Sequence, residues 1–242
     1  MKLRTLRIPG LALFVWLALG VGSAQQSGRP TPEPKPSPKD DCCVMELSIP
    51  GAPNRASNSG ARIAESSLQV EGNAASRVRV IIYEDLQCPD CATFRKALDG
   101  VLLPRYGSSV AFEHRDFPLP KHSWAKEAAI AARYFQTLDP KISVQFRRHM
   151  LERISATSAI GFRDALIGFC REYHLDPEKA LTALTDGTLV RAVEKEFQDG
   201  VAAGVRRTPT VVIAGKEFVE TINLGEIQRV LDDLLGKSPA SR

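Results

Sequence analysis

The sequence predicts an α/β fold in which a helical block interrupts a mixed sheet. Three observations lead to this prediction. Residues 78–83 read V-R-V-I-I-Y, and a nearly continuous apolar, β-branched run is typical of a strand buried within a sheet. Residues 121–203 carry apolar side chains at helical spacing, and residues 210–219 read as two short strands joined by a tight turn. The predicted order is therefore β-α-β, helical block, β-β-α.

The first β-α-β unit contains a CxxC motif. Cys88-Pro89-Asp90-Cys91 follows the first strand and opens a helix, because proline suits the first helical position and Cys88 the cap before it. Residues 110–114 are predicted as the next strand. The helix between the two strands has one apolar face, which holds Phe94, Leu98, Val101 and Leu102.

Capping and turn residues mark the later elements. Asp139-Pro140 and Asp176-Pro177 each indicate an N-cap followed by proline at the first helical position. Gly215-Lys216 is predicted as the turn of the hairpin. A last amphipathic helix ends at Gly236, and its apolar stripe is Leu224, Ile227, Leu231 and Leu234.

The composition is that of a globular protein. The 242 residues include 43% hydrophobic residues and five cysteines, which excludes a wholly disordered, collagenous or coiled-coil chain. The formal net charge is +4, but residues 25–242 hold 29 basic and 28 acidic side chains, or +1. A nearly neutral chain gives no electrostatic argument for binding nucleic acid.

Residues 1–24 are predicted to be a secretory signal peptide. Basic residues within 1–7 precede an apolar run over 11–21, and Gly22-Ser23-Ala24 suits signal peptidase. The run is shorter than the about 20 residues of a membrane span. We therefore expect cleavage, and the alternative is an uncleaved anchor, which would be the protein's one contact with the membrane. The mature protein is expected in the periplasm or another extracytoplasmic compartment, where disulfides persist.

The rest of the chain is predicted to divide by composition. Every second residue from Pro30 to Pro38 is proline, which forbids a helix and favours an extended, flexible tether. The predicted parts are the tether at 25–60, a sheet-containing domain at 61–120 and 204–236, a helical insertion at 121–203 and a C-terminal tail at 237–242.

Cys88 and Cys91 are predicted to be a redox pair. A thiol at a helix N-terminus meets unpaired backbone amides and the positive end of the helix dipole, which stabilise its thiolate. A second cysteine three residues later can attack a mixed disulfide held by the first. The alternatives are a structural disulfide or half of a zinc site, but no second ligand pair at close spacing supports zinc.

Three segments of the sequence resemble the extracytoplasmic DsbA-like thiol:disulfide oxidoreductases. They are Y-E-D-L-Q-C-P-D-C at 83–91, R-D-F-P-L-P-K-H at 115–122 and G-V-R-R-T-P-T-V-V-I-A-G at 204–215. The resemblance implies a thioredoxin-like fold with an inserted α-helical domain. It also implies an enzyme without cofactor or metal that acts on cysteine-containing secreted proteins. A redox partner would reoxidise or reduce its CxxC.

The resemblance assigns roles to individual residues. Cys88 is the exposed attacking cysteine and Cys91 the buried resolving one, so the pair forms a redox-active disulfide. Pro209 is expected to be a cis-proline packed against the pair, and Thr208 to offer its backbone to an extended substrate peptide. From the residues alone, Thr208-Pro209 equally suits an ordinary trans turn.

The residues around Cys88 and Cys91 are expected to change how strongly the Cys88 thiolate is stabilised. Pro89 and Asp90 lie between the cysteines, and the negative charge of Asp90 opposes a Cys88 thiolate. Arg207 either approaches Cys88 and favours the thiolate or is a solvated loop charge.

The sequence also departs from the family pattern. The acid that the family often carries six residues before the first cysteine is replaced here by Ile82. Glu84 and Asp85 are close in sequence, but a solvent-facing position gives them little support as proton shuttles. The roles of His114 and His122 stay open, and R-D-F-P-L is interpreted as a structural junction.

Three cysteines remain outside the motif. Cys170 lies on an apolar helical stripe and is predicted to be a buried free thiol. Cys42 and Cys43 are adjacent, and adjacent cysteines rarely bond each other because the ring is strained. A disulfide to another chain, a bond to Cys170 and a second redox relay stay open for them.

Two classes of function are consistent with the sequence. The first is an enzyme that oxidises, reduces or isomerises disulfides through Cys88 and Cys91. The second is a non-catalytic thioredoxin-like module that holds peptides or carries a metal on its CxxC. Turnover of a dithiol peptide separates the first class from the second.

Overall fold

The computed structural model describes residues 69–237, whose strands form a five-stranded mixed sheet. Its order is β1-β3-β2-β4-β5, in which β2 and β3 are parallel and the other neighbouring pairs are antiparallel. The predicted strand after residue 77 and the predicted hairpin are both present, but the hairpin turn is Ala214-Gly215 rather than Gly215-Lys216, because Lys216 is already the first residue of β5. The strands are β1 (Gln69–Gly72), β2 (Arg79–Glu84), β3 (Ala111–Asp116), β4 (Thr210–Ile213) and β5 (Lys216–Val219).

The helices follow β2, β3 and β5. Asp139 and Asp176 each accept backbone N–H bonds at a helix start, which confirms the two predicted caps. After β2 come α1 (Pro89–Ala97), a π-helical turn (Leu98–Leu102) and α2 (Leu103–Tyr106). Between β3 and β4 lie α3 (Ala125–Leu138), α4 (Pro140–Glu152), α5 (Ile154–Ile160), α6 (Phe162–Glu172), α7 (Pro177–Ala183) and α8 (Gly187–Ala202), and after β5 lies α9 (Leu224–Leu234).

Two apolar cores meet at the sheet. Successive residues of a strand point to opposite faces, so Ile82 of β2 enters one core and Tyr83 the other. The core that contains Ile82 packs α1, α2 and α9 through side chains such as Phe94, Phe112 and Ile227. The core that contains Tyr83 joins the sheet to the helical block through Phe117, Phe135, Phe146 and Phe169.

The strand register brings two of the three DsbA-like segments together. Tyr83, near the end of β2, pairs with Thr210, at the start of β4. The CxxC segment follows β2, and Thr208-Pro209 precedes the antiparallel strand β4, so both segments lie at the same end of these two strands. The Thr208–Pro209 peptide bond is cis.

Several predicted features lie outside the described residues. These are the signal peptide at 1–24, the tether at 25–60, and Cys42 and Cys43 within it. Within residues 69–237, no helix is both long enough and apolar enough to cross a membrane.

Charged side chains that sequence patterns would place in solvent are buried between the sheet and the helical block. The Nδ1 and Nε2 atoms of His114 each lie 2.9 Å from a carboxylate oxygen, of Glu84 and of Glu71 respectively. Arg147 bridges Glu84 at 2.9 Å and Asp116 at 2.5 Å. Each charge has an opposite partner, which offsets the cost of desolvation. The network continues through Glu113, Arg115, Arg133 and Glu196.

The charge of His114 makes stability depend on pH. Burial lowers the pKa of His114, but the charges and hydrogen bonds of Glu84 and Glu71 outweigh burial and raise it. The raised pKa means that the charged form of His114 stabilises the folded state. This contribution is complete below the unfolded-state pKa of about 6.5 and is lost as pH rises through the higher folded-state pKa. We expect the melting temperature of wild type to fall more steeply above pH 6.5 than that of His114→Gln. Equal slopes in thermal melts would contradict this.

Gly200 allows α8 to approach the sheet closely. A Cβ atom at this position would lie 2.7 Å from the buried Phe117 ring and 3.1 Å from the Tyr83 ring. We expect Gly200→Ala to lower the free energy of unfolding by about 1–3 kcal/mol in urea denaturation, because the overpacked rings must shift.

Gly168, in the interior of α6, is the matched control. A Cβ atom there meets nothing within 4 Å, so Gly168→Ala is expected to stabilise the helix by about 0.5–1 kcal/mol. Equal stability of the two alanine variants would show that close packing at Gly200 is unimportant.

Candidate active site

The CxxC motif lies at the start of α1. Cys88 is the N-cap residue, with extended backbone at φ −83° and ψ 123°, and Pro89 occupies the first turn. The Ala92 N–H donates to the Cys88 carbonyl oxygen at 3.1 Å, so the first hydrogen bond of the helix begins at Cys88. The amides and dipole at this end favour a thiolate on Cys88. The predicted helix start is confirmed.

The cysteines differ in their bonding. Cys88 is disulfide-bonded, whereas Cys91 and Cys170 are free thiols. The bond of Cys88 is therefore not to Cys91, and the Cys88–Cys91 disulfide stays a prediction for another redox state. Cys88 is buried, so the exposed position that the resemblance implies is wrong in this structure.

Cys91 is a buried thiol on the first turn of α1. Its side chain is 2% exposed, and the backbone N–H of Asp85 donates to its sulfur at 3.4 Å. Burial raises the pKa of Cys91 well above its ordinary value, and the carboxylates of Asp85 and Glu84 raise it further, against the Asp85 N–H, which lowers it. Cys91 is thus held as a thiol, as expected of a resolving cysteine.

The segment before β4 contacts Cys88 directly. The Sγ atom of Cys88 lies 3.3 Å from the backbone carbonyl oxygen of Thr208, across 120 positions of sequence. The reduced thiol can donate a hydrogen bond to this carbonyl. The structure thus brings together the CxxC and the residues just before β4, as the resemblance implies.

Asp85 and Glu84 are both buried, so the expectation that they face solvent is wrong. The end of β2 lies under the helical block, and polar partners there compensate for the lost water. Asp85 Oδ1 accepts from the Gln87 N–H at 2.7 Å, which forms an Asx turn directly before the CxxC motif.

The second oxygen of Asp85 ties the CxxC loop to the segment after β3. Asp85 Oδ2 accepts from the Leu119 N–H at 2.7 Å and lies 2.8 Å from His122 Nδ1. Nearby, Gln87 Oε1 accepts from the Trp124 N–H at 2.8 Å. The R-D-F-P-L segment is therefore a junction, as predicted, and it also supplies groups next to the cysteines.

Arg207 pairs with Glu220. Its Nη1 atom lies 2.7 Å from Glu220 Oε2, and its side chain is 41% exposed. The carboxylate of Glu220 offsets the charge of Arg207, which weakens any effect of that charge on Cys88. Asp90 is then expected to dominate the tuning of the pair.

Replacing Asp90 is predicted to make the pair more oxidising. Asp90→His removes a carboxylate beside the Cys88 thiolate, and each unit by which the thiolate pKa falls corresponds to about 30 mV for a two-electron couple. We expect a rise of some tens of millivolts, of order 30 mV, in equilibrium with glutathione buffers at pH 7. An unchanged or lower potential would refute the electrostatic argument.

Cys170 lies apart from the CxxC in the core of the helical block. Burial raises the pKa of its thiol to about 11, with a further contribution from Asp176. It is a buried free thiol, as predicted. Within residues 69–237, no group of three or more His, Cys, Asp or Glu side chains is arranged to hold a metal ion.

Several solved structures share this fold. Alpha-DsbA1 from Wolbachia pipientis is 16% identical and matches at a TM-score of 0.63 over 71% of this chain and 92% of its own. Oxidised BdbD from Bacillus subtilis is 19% identical, with a TM-score of 0.63 over 70% and 94%. The catalytic domain of ScsC from Proteus mirabilis is 17% identical, with a TM-score of 0.59 over 72% and 92%. At these identities the likeness shows a thioredoxin-like fold of the DsbA type.

One curated relative is a Na(+)/H(+) antiporter NhaA from Herminiimonas arsenicoxydans. It is 26% identical over 165 residues, which are 67% of this chain and 25% of the relative. The chain thus spans about a quarter of the length of that protein. The antiport activity in its name is a property of that protein and is not assigned to this chain.

The family model described as thioredoxin matches residues 67–233. This range holds the sheet, the CxxC helix, the helical block and most of α9. The DsbA-like resemblance is confirmed at the level of the fold, and the chain belongs to the thioredoxin family, in its branch with a helical insertion between β3 and β4.

Proposed function

We propose that this protein is an extracytoplasmic thiol:disulfide oxidoreductase that exchanges disulfides with secreted proteins through Cys88 and Cys91. One observation carries the proposal. Cys88 caps α1 with its sulfur 3.3 Å from the Thr208 carbonyl, while Cys91 on the same turn is a buried free thiol. An attacking sulfur at a helix start and a protected resolving thiol are the two parts that exchange needs.

The exchange consists of two substitutions at sulfur. The Cys88 thiolate first attacks a substrate disulfide, which forms a mixed disulfide and releases one substrate thiolate. Cys91 then loses its proton and attacks Cys88 Sγ. The Cys88–Cys91 bond forms, the second substrate sulfur leaves with the electron pair, and it takes up a proton. The substrate disulfide gains two electrons and the cysteine pair loses them; the reverse sequence oxidises a substrate dithiol.

The substrate is proposed to bind as an extended peptide beside Thr208 and Pro209. A mainly apolar cavity of about 190 Å³ is lined by residues that include Asp90, Phe94, Glu220 and Ile222. The Glu220 N–H donates to the Pro209 carbonyl oxygen at 2.9 Å, which connects this cavity to the segment. The cavity is large enough for one substrate side chain. The proposed partners are cysteine-containing secreted proteins and a redox protein that resets the CxxC.

The proposed location and domains rest on sequence. The signal-like residues 1–24 support export, and the proline-rich residues 25–60 support a tether. We propose that the thioredoxin-like domain comprises 61–120 and 204–236, with the insertion at 121–203.

Turnover of disulfides by the purified full chain tests the function. A fluorescent dithiol peptide and a disulfide peptide are incubated with the protein in glutathione buffers of graded potential. Exchange at a rate above that of glutathione alone supports the proposal. The fraction of oxidised cysteine pair at equilibrium in each buffer gives the reduction potential. Zinc or copper retained by the protein without any exchange would favour the metal-carrier alternative instead.

A further inference from the structure

The resolving step requires a Cys91 thiolate, and the surroundings of Cys91 disfavour that anion. Cys91 must become a thiolate to attack Cys88, yet its thiol is buried and Asp85 and Glu84 both lie close enough to disfavour the anion. The two carboxylates differ in how their charge is compensated.

Glu84 belongs to the buried charge network. One of its oxygens contacts both His114 and Arg147, each at 2.9 Å, and all three side chains are buried. Two cations therefore hold its charge in place, away from solvent.

Asp85 has a different set of partners. Its side chain is fully buried, and it accepts two backbone N–H bonds from neutral donors, those of Gln87 and Leu119. The Nδ1 atom of His122 lies 2.8 Å from the Asp85 carboxylate, and the His122 side chain is 12% exposed and so reaches solvent. The backbone N–H of Asp85 also donates to Cys91 Sγ, so Asp85 is held directly beside the resolving sulfur.

We propose that Asp85 and His122 form a positioning pair that controls the resolving step, in which the Asp85 carboxylate opposes the Cys91 thiolate and His122 offsets the charge of that carboxylate. The proposal rests on the thiol–disulfide exchange proposed above. Neither residue reacts with substrate; each acts through the charge next to Cys91. Asp85 opposes the Cys91 thiolate and slows release of a mixed disulfide, and a charged His122 speeds it.

The two members of the pair thus have opposite effects on one chemical step. In that step the Cys91 S–H bond breaks and its proton passes to solvent. The Cys91–Cys88 S–S bond forms, and the bond from Cys88 to the captured sulfur breaks, with that sulfur leaving as a thiolate. A purely structural role for the pair would instead make loss of either member slow the step.

The test uses full-length protein in which Cys42, Cys43 and Cys170 are replaced by serine, so that Cys88 and Cys91 are its only cysteines. This protein is the wild-type reference; it is reduced and mixed in stopped flow with a symmetric aromatic disulfide, 5,5′-dithiobis(2-nitrobenzoic acid). Attack by Cys88 releases the first nitrothiobenzoate, and attack by Cys91 on the mixed disulfide releases the second, so absorbance rises in two phases. Cys91→Ser identifies the second phase by removing it. The wild-type reference and every variant are measured in the same buffer at pH 6.

Asp85→Asn is expected to accelerate the second phase several-fold, because loss of the carboxylate favours the Cys91 thiolate, although a thiolate of lower pKa is also a weaker nucleophile. His122→Gln, which can still donate a hydrogen bond but carries no charge, is expected to slow the second phase, because the Asp85 carboxylate then acts on Cys91 without an opposing charge. His122→Lys restores a positive charge and is expected to recover the wild-type rate. His149→Gln is the control, since this histidine lies beside Glu172 on the helical block.

The outcomes separate the inference from the proposed function. Slowing by both Asp85→Asn and His122→Gln, or an unchanged second phase in His122→Gln, overturns the inference. If Asp85→Asn does not fold, the comparison of His122→Gln with His122→Lys decides alone, and equal rates overturn the inference. Absence of the first phase in wild type would instead overturn the proposed exchange through Cys88.

Discussion

Cys88→Ser is expected to abolish thiol–disulfide exchange, whereas Cys91→Ser is expected to trap substrates as mixed disulfides. The asymmetry follows from the order of attack. Without Cys88 no sulfur at the helix start can attack, while without Cys91 the captured substrate cannot be released. Activity of Cys88→Ser should fall to the rate of the uncatalysed reaction with the same peptide.

Non-reducing gels and intact-mass spectrometry detect the trapped species. Cys91→Ser incubated with a disulfide peptide should gain the mass of one peptide thiol, and dithiothreitol should remove it. Cys170→Ser is the control, because Cys170 is a free thiol buried in the helical block. Normal turnover by either CxxC variant would show that the assignment of the two cysteines is wrong.

Arg147→Met is expected to lower the free energy of unfolding by about 3–5 kcal/mol. The guanidinium is 1% exposed and bridges Glu84 and Asp116, both of which are buried. Methionine fills part of the space but leaves two carboxylates without this partner, and removing one member of a buried ion pair leaves an uncompensated charge.

Arg148 provides a matched control at the next position of α4. Its side chain is 33% exposed, where it contacts Glu71 and Asp99. Arg148→Met is expected to cost about 0–1 kcal/mol, as for other solvent-screened pairs. Urea denaturation of both variants measures the difference. If Arg147→Met were no more destabilised than Arg148→Met, the buried network would not be a major source of stability.

Local patterns were sufficient to predict much of the fold. Strand β2 is an apolar run that the hydrophobic effect drives into the interior, so residues 78–83 reveal its burial without any knowledge of its neighbours. The start of α1 at Cys88-Pro89 and the caps at Asp139 and Asp176 depend on residues within one helical turn.

The charged part of the structure followed no such pattern. Strand β3 is buried at all six positions, although four of them read E-H-R-D. A periodicity argument assigns such residues to solvent, because burying an isolated charge is costly. Their partners are distant in sequence, as in the contact of His114 with Glu71 across 43 positions.

The candidate site divides in the same way. The sequence by itself determined the reactive pair, because helix-start chemistry and the spacing of Cys88 and Cys91 are local properties. Tertiary structure alone decided which groups surround that pair: Asp85 contacts His122 across 37 positions of sequence, and Cys88 contacts the Thr208 carbonyl across 120. The physical reason is that a charge is buried only where folding supplies its partner, and the fold brings that partner from another element.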